Sequence, residues 1–310
     1  VYYSASASQI ISTPITYPFD TLKVLAQTRL GDKLYLLGGR KINLYKGFTP
    51  TLALNTIYPC GLYAEKKFME KYPKLSSKYV ESLSTPAVMS IIFTPFSRIS
   101  ILSQTSTNST GQVIKNLMQQ QSRMYAFYRG FSVSMVNNAI FLESCKRLNS
   151  YMNNNFNKLD ESSSVKETKD IESNHYSAFT CYPSSSSLVN QRTEEQIEID
   201  MTNKMNHGLK GMGFMILSGI ISTTIVHPID TVRVCMKSDV VQIDGSPAKS
   251  SIDVAKSIYN SYGVKGFYRG LIPSLVCTGI GSTLIVTGSV FFVTLDMLVK
   301  MNKEENKKDG

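Results

Sequence analysis

The sequence has no tryptophan, and charged residues make up only 18 % of it, below the roughly 25 % typical of soluble domains. Its five cysteines, Cys60, Cys145, Cys181, Cys235 and Cys277, are scattered, odd in number and free of any CxxC pair. That pattern argues against a disulfide scaffold and against a thiolate metal site. Three histidines, His175, His207 and His227, are equally dispersed. No Ser/His/Asp or HxxxH arrangement is present, so no enzyme chemistry, cofactor or metal site is expected. His227, just before a proline, reads as a packing or cavity residue rather than a ligand. A hydrophobic content of 42 % excludes a chain disordered throughout. The formal charge of +10 points to either nucleic acid or an anionic membrane as a neighbour. No nucleic-acid recognition motif accompanies it, so no nucleic-acid partner is expected.

Long apolar runs are also scarce, but uncharged ones are not. Tyr2–Phe19, Phe48–Ala64, Ser82–Ser97, Gly211–Ile229 and Leu271–Leu295 contain no Asp, Glu, Lys or Arg. A bilayer core needs about 20 apolar residues in a helix, so each run is a candidate span. Only the last is apolar enough to stand alone. The others are rich in Ser, Thr and Pro, which membrane helices tolerate where they face other helices.

One segment differs. Residues 152–207 are dominated by Asn, Ser, Thr and charges, including Glu161-Ser162-Ser163-Ser164 and Ser184-Ser185-Ser186-Ser187, with nine acids against five bases. Too little apolar surface is available there to offset the entropy of ordering. The expectation is a polar, disordered insert.

Internal repeats organise the remainder. Pro18-Phe19-Asp20-Thr21-Leu22-Lys23 recurs as Pro228-Ile229-Asp230-Thr231-Val232-Arg233, with Pro95-Phe96-Ser97-Arg98-Ile99-Ser100 between them. Each is followed by an aromatic–basic–glycine signature, Tyr45-Lys46-Gly47, Tyr128-Arg129-Gly130 and Tyr268-Arg269-Gly270. Pro18 and Pro95 are 77 residues apart, and Pro95 and Pro228 are 77 apart once the 56-residue insert is removed. A proline inside a helix kinks it. An acid two residues after the proline and a base five after it share one helical face. Charges so placed in a membrane helix are costly and usually mark a pathway.

These motifs resemble the mitochondrial carrier family, built from three tandem repeats of about a hundred residues, and the resemblance covers the chain from Tyr2 to about Lys300 apart from the insert. It implies an all-α membrane protein with six transmembrane helices in three pseudo-threefold repeats, each with a short matrix-side amphipathic helix. Mapped onto this sequence, the spans fall at 2–28, 48–70, 82–104, 131–151, 208–236 and 271–299, and the amphipathic helices within 34–45, 110–126 and 250–266. Repeat one would occupy 1–75, repeat two 76–151, the insert 152–207 and repeat three 208–300, leaving a polar tail at 301–310.

The resemblance further implies a matrix gate formed by Asp20, Lys23, Asp230 and Arg233, braced by Gln27 and Gln104. Repeat two departs from the pattern, carrying Ser97 and Ser100 in place of an acid and a base. Asp20 then loses its expected base and Arg233 its expected acid, leaving only Asp230 with Lys23. Arg98 is one residue, or about 100°, out of register for a direct replacement. Lys237 occupies the bracing position of repeat three. The second gate is irregular too: Tyr63-Ala64-Glu65-Lys66-Lys67, Leu142-Glu143-Ser144-Cys145-Lys146, and Leu295-Asp296 with Lys300.

The family's substrate-contact points map to Leu54/Asn55, Asn137/Asn138 and Cys277/Thr278, none of them charged. The candidates for solute contact are thus Asn55, Asn137, Asn138, Cys277 and Thr278. Basic stretches at 28–47, 104–130 and 237–270 carry +9 together, against −2 on the opposite side, the asymmetry expected beside anionic headgroups. Lys46, Gly47, Arg129, Gly130, Arg269 and Gly270 pair a base with backbone N–H groups at a helix entrance, a suitable phosphate site. The resemblance implies cardiolipin there. Two functions remain open: transport of a small neutral or weakly polar solute across the mitochondrial inner membrane, and a transport-inactive docking subunit of a larger assembly such as a respiratory complex.

Overall fold

A computed structural model describes residues 2–28, 43–72, 78–164, 194–239, 242–243, 246–247 and 250–308. Among them the chain is almost entirely helical. Its helices are α1 (Tyr2–Thr28), α2 (Phe48–Lys71), α3 (Lys78–Thr105), α4 (Thr110–Gln119), α5 (Arg123–Tyr128), α6 (Phe131–Ser164), α7 (Glu194–Ser238), α8 (Ser251–Tyr262) and α9 (Leu271–Lys308). A 3-10 turn covers Val264–Tyr268, and a short antiparallel ladder pairs Gln242–Ile243 with Ser246–Pro247. The chain divides into two compact units. One comprises Val1–Lys146 and Ile216–Gly310; the other, Arg147–Met215, holds the second part of α6 and the first part of α7.

Among the described residues, three helices are long and apolar enough to cross a membrane by length and composition, over Ser84–Thr105, Lys210–Ser238 and Val264–Phe292. Helices α1 and α2 have 27 and 24 residues but are more polar. Asp20 and Lys23 interrupt α1, while Glu65, Lys66, Lys67, Glu70 and Lys71 crowd the end of α2.

Helix boundaries correct two expectations. Segment 152–207 is not disordered from its first residue: α6 continues to Ser164 and α7 begins at Glu194. Extending an existing helix costs far less than nucleating one, so polar residues adjoining a long helix join it. Residues 165–193 lie outside the described residues. The polar tail likewise continues α9 to Lys308. Of the three expected amphipathic helices, the one within 34–45 lies almost wholly outside the described residues. The second is divided into α4 and α5, and the third is α8 with its 3-10 turn.

Local chemistry explains these short helices. Ser109 accepts from the Gln112 amide while the Gln112 side chain accepts from the Ser109 amide, a capping box opening α4. Ser250 accepts from the Ile252 amide at the start of α8. Each helix then buries one face. Val113 and Leu117 of α4 pack with Ile99 of α3 and Ala126 of α5, and Val254 and Ile258 of α8 pack with Val232, Cys235 and Met236 of α7 and Val133 of α6. Equivalent parts of repeats two and three thus build equivalent small cores.

The glycine of each signature opens a long helix in the left-handed conformation, with φ of 79° at Gly47, 80° at Gly130 and 77° at Gly270. That geometry is costly for any residue with a Cβ. Each glycine also seats on the next repeat. A Cβ on Gly47 would lie 2.8 Å from the Ser100 carbonyl oxygen of α3, and one on Gly130 would lie 3.4 Å from the Lys237 side chain of α7. A Cβ on Gly270 would lie 3.0 Å from the Lys23 carbonyl oxygen of α1. Repeat one seats on two, two on three, and three on one, which closes a threefold ring.

Candidate functional site

The site grows from the motif prolines. Pro18 has no N–H to bond the Pro14 carbonyl, and the Tyr45 hydroxyl donates to that carbonyl instead, at 3.1 Å. The residue before the proline then ties the kinked helix to its own signature. Tyr17 donates its hydroxyl to the Lys46 carbonyl at 2.8 Å, and His227 Nε2 lies 3.0 Å from the Arg269 carbonyl. Three residues after the proline, Thr21 donates to the Leu44 carbonyl and Thr231 to the Phe267 carbonyl. Repeats one and three thus use the same two ties. Repeat two has Thr94 and Arg98 at these places. Thr94 reaches only the Ser90 carbonyl of its own helix, and Arg98 turns toward α7.

Six residues after each proline stand Val24, Ile101 and Val234, and these three pack together as one buried cluster. One residue from each repeat therefore meets its two equivalents, and this end of the bundle is closed by an apolar plug. The polar seams around it differ.

Between repeats one and three, Lys23 Nζ lies 2.8 Å from Asp230 Oδ2. The Gln27 amide donates to the same oxygen at 3.2 Å and to the Thr231 hydroxyl at 3.3 Å. The structure brings together the one complete ion pair the sequence retains, with the bracing glutamine on it. Arg233 corrects an expectation. It is not left without an acid, because it pairs with Asp230 of its own helix, three residues before it. Asp20 makes no ion pair among the described residues; Lys23, Asp230, Arg233 and Gln104 face it.

Between repeats one and two, neutral groups take over. Ser100, at the missing base, donates to the Gly47 carbonyl at 3.0 Å. Its hydroxyl also lies 3.2 Å from the Tyr17 hydroxyl and 3.0 Å from that of Thr51. Gln104 donates to the hydroxyls of Tyr17 and Thr21 at 3.0 and 3.3 Å. The ammonium of Lys46 donates to the Ser106 carbonyl, and partial burial pushes it below its ordinary pKa.

Between repeats two and three lies a cluster that reading the motifs alone does not reach. Arg98, 1 % exposed, places Nη2 2.8 Å from Asp239 Oδ2 and donates from Nη1 to the Lys237 carbonyl at 2.9 Å. Arg129 Nη1 lies 2.5 Å from Asp239 Oδ1. Arg98 thus finds an acid, outside the ring of gate positions, and Arg129 meets the same carboxylate within the protein. Asp239 follows the last turn of α7 with φ of 55°, a left-handed conformation that Asp tolerates better than most residues. Lys237, at the bracing position, donates to the Ser97 hydroxyl at 2.8 Å.

The expected solute-contact positions share a pattern of their own. Asn55 donates to Thr13 Oγ1 at 2.6 Å, and Asn138 donates to Ser90 Oγ at 3.1 Å. Thr278 Oγ1 lies 3.2 Å from Thr223 Oγ1. Each pair joins the residue eight after a signature glycine to a hydroxyl five before the motif proline of the same repeat. Asn137 does not share this role. It is buried, and its carbonyl oxygen has no hydrogen-bond partner among the described residues. Cys277 Sγ sits 3.8 Å from the Thr16 carbonyl. Farther along α2, Glu65 accepts from the hydroxyls of Ser84 and Thr85 at 2.7 and 3.0 Å. The side chains of Asp296 and Lys300 lie outside the described residues.

Sequence signals for the missed groups do exist. The plug residues share one offset from the prolines, and so do the hydroxyl partners. Asp239 carries no repeated signal at all. Residues 209–305 match the family model described as mitochondrial carrier protein, and no curated protein matches the chain. The third repeat of the sequence is thus similar to the mitochondrial carrier family.

Proposed function

We propose that this protein carries a small, uncharged, polar solute across the mitochondrial inner membrane by opening alternately to its two sides. The observation that carries the reading is the plug of Val24, Ile101 and Val234, rimmed by the Lys23–Asp230 pair with Gln27 upon it. A closed end built from equivalent residues of three repeats is suited to opening, because the Lys23–Asp230 pair at its rim can part while Asp230 keeps Arg233 of its own helix. Helices α1, α2, α3, α6, α7 and α9 would supply six spans. Asn55, Asn138 and Thr278, with their hydroxyl partners, would offer amide and hydroxyl groups to the solute. No charge stands at those positions to recognise a carboxylate or phosphate. Anionic lipid, cardiolipin included, would occupy the helix entrances at Lys46–Gly47 and Arg269–Gly270. Arg129–Gly130 would hold it less well, since Asp239 already meets that arginine.

Thermal unfolding of the purified protein across a panel of neutral polar solutes tests the proposal. One solute class should raise the melting temperature through preferential binding, and Asn55→Ala with Asn138→Ala should abolish the rise. A second reading is supported by the neutral seam at Ser100 and the internal bonds of Asn55 and Asn138: a transport-inactive subunit docked on a larger membrane assembly, a respiratory complex among them. Migration of all the protein with a large complex on native gels, without response to any solute, would overturn the carrier reading in its favour.

A further inference from the structure

We infer that at the plugged end repeats two and three are clamped together through Asp239, and that this end opens by repeat one parting from the clamped pair. The inference concerns how the seams separate and holds whether or not a solute crosses.

Charge compensation on each side of a seam decides which seam can open. When α1 leaves α7, the Lys23–Asp230 pair is broken, but neither ion is abandoned. Asp230 keeps Arg233 on its own helix. Lys23 has Asp20 three residues before it on its own helix, a spacing that lets the two side chains meet, and Asp20 makes no ion pair among the described residues. The acid stranded by the change to Ser100 is thus a resting place for the released lysine. The seam between repeats one and two is easier still, since most of its groups are hydroxyls, amides and carbonyls that water can serve.

The seam between repeats two and three has no such provision. Arg98 and Arg129 are 1 % and 7 % exposed, and both turn to the single carboxylate of Asp239. Residues 82–142 contain no Asp or Glu, so repeat two has no acid of its own within this stretch to receive either arginine. Parting here would strip the buried Arg98 of its carboxylate, the situation that makes breaking a buried ion pair so unfavourable. Arg98 also donates to the Lys237 carbonyl, one of the last four carbonyls of α7 that no amide of its own helix can serve. A guanidinium at that place complements the negative end of the helix dipole as well.

Spin-label distance measurements on the full chain in phosphatidylcholine–cardiolipin nanodiscs test this directly. Labels replace the exposed Thr49 of repeat one, Asn116 of repeat two and Lys256 of repeat three, pairwise, with the native cysteines changed to alanine. Lys23→Gln should shift or broaden both distances that involve repeat one and leave the 116–256 distribution narrow. Asp239→Asn, which keeps a residue tolerant of the left-handed backbone and removes only the charge, should broaden the 116–256 distribution about twofold. Arg98→Met probes the same clamp from its other side if the Asp239 variant does not fold. The inference is overturned if Lys23→Gln spreads all three distances alike, if Asp239→Asn does so, or if neither variant changes any distance.

Discussion

The ammonium of Lys237 donates to the hydroxyl of Ser97 at 2.8 Å, joining the bracing position of one repeat to the vacated acid position of another. The serine leaves Lys237 with a neutral acceptor where a carboxylate would fit. Ser97→Asp should therefore stabilise the closed end, because a charge-assisted hydrogen bond is about twice as strong as a neutral one. We expect a melting temperature higher by roughly 2–4 °C for each kcal/mol gained. The gain should vanish in a Lys237→Met background, as a double-mutant cycle would reveal.

Asp230 and Lys23 are unequal partners. Asp230 serves Lys23, Gln27 and Arg233 together, whereas Lys23 has Asp20 in reserve. Asp230→Asn should destabilise by about 3–5 kcal/mol, the usual cost of stripping a buried pair, and Lys23→Met by clearly less. Thermal unfolding in cardiolipin-containing detergent ranks the two; equal losses would contradict the shared role of Asp230.

The signature glycines should rank by what stands over them. Gly47→Ala and Gly270→Ala meet backbone oxygens at 2.8 and 3.0 Å, whereas Gly130→Ala meets side chains alone, Lys237 at 3.4 Å and Met236 at 3.6 Å. All three incur the left-handed cost of about 1–2 kcal/mol. The first two add an overlap of about 1–3 kcal/mol that a flexible side chain would relieve in the third. Expression yield and melting temperature should fall most for Gly47 and Gly270.

Tyr17 and His227 perform one task with different chemistry, each meeting the carbonyl that precedes a signature glycine. Tyr17→Phe and His227→Phe should each destabilise by about 1–3 kcal/mol, the cost of an orphaned buried acceptor. Thr94→Val should cost less at the same site of repeat two, because Thr94 bonds only within α3. Comparison of the three unfolding curves checks this ranking.

The repeat architecture was legible because prolines and glycines act through the backbone, and backbone demands recur at fixed spacing. Lys23, Gln27 and Asp230 followed from that register and meet as the motifs suggest. Arg98 did not follow. Its partner Asp239 lies 141 residues away and is placed by the left-handed turn that ends α7, which no repeat position marks. Arg233 was misread for a related reason: a motif assigns partners between repeats, whereas the spacing of acid and base also lets them meet within one helix. The ends of the polar insert were hidden because composition measures what a segment can bury, not what a neighbouring helix can propagate into it.

The cyclic seating of Gly47, Gly130 and Gly270 also bears on biogenesis. Synthesis runs from the amino terminus, so when repeats one and two have been made, Gly47 already has its seat on Ser100. The seat that Lys23 offers is still vacant, and only Gly270, some 250 residues later in the chain, fills it. A ring that closes on its own first helix cannot be completed before its last has arrived. An arrested or truncated chain would leave polar edges of α1 and α3 facing lipid, which gives membrane quality control a clear mark of an unfinished molecule.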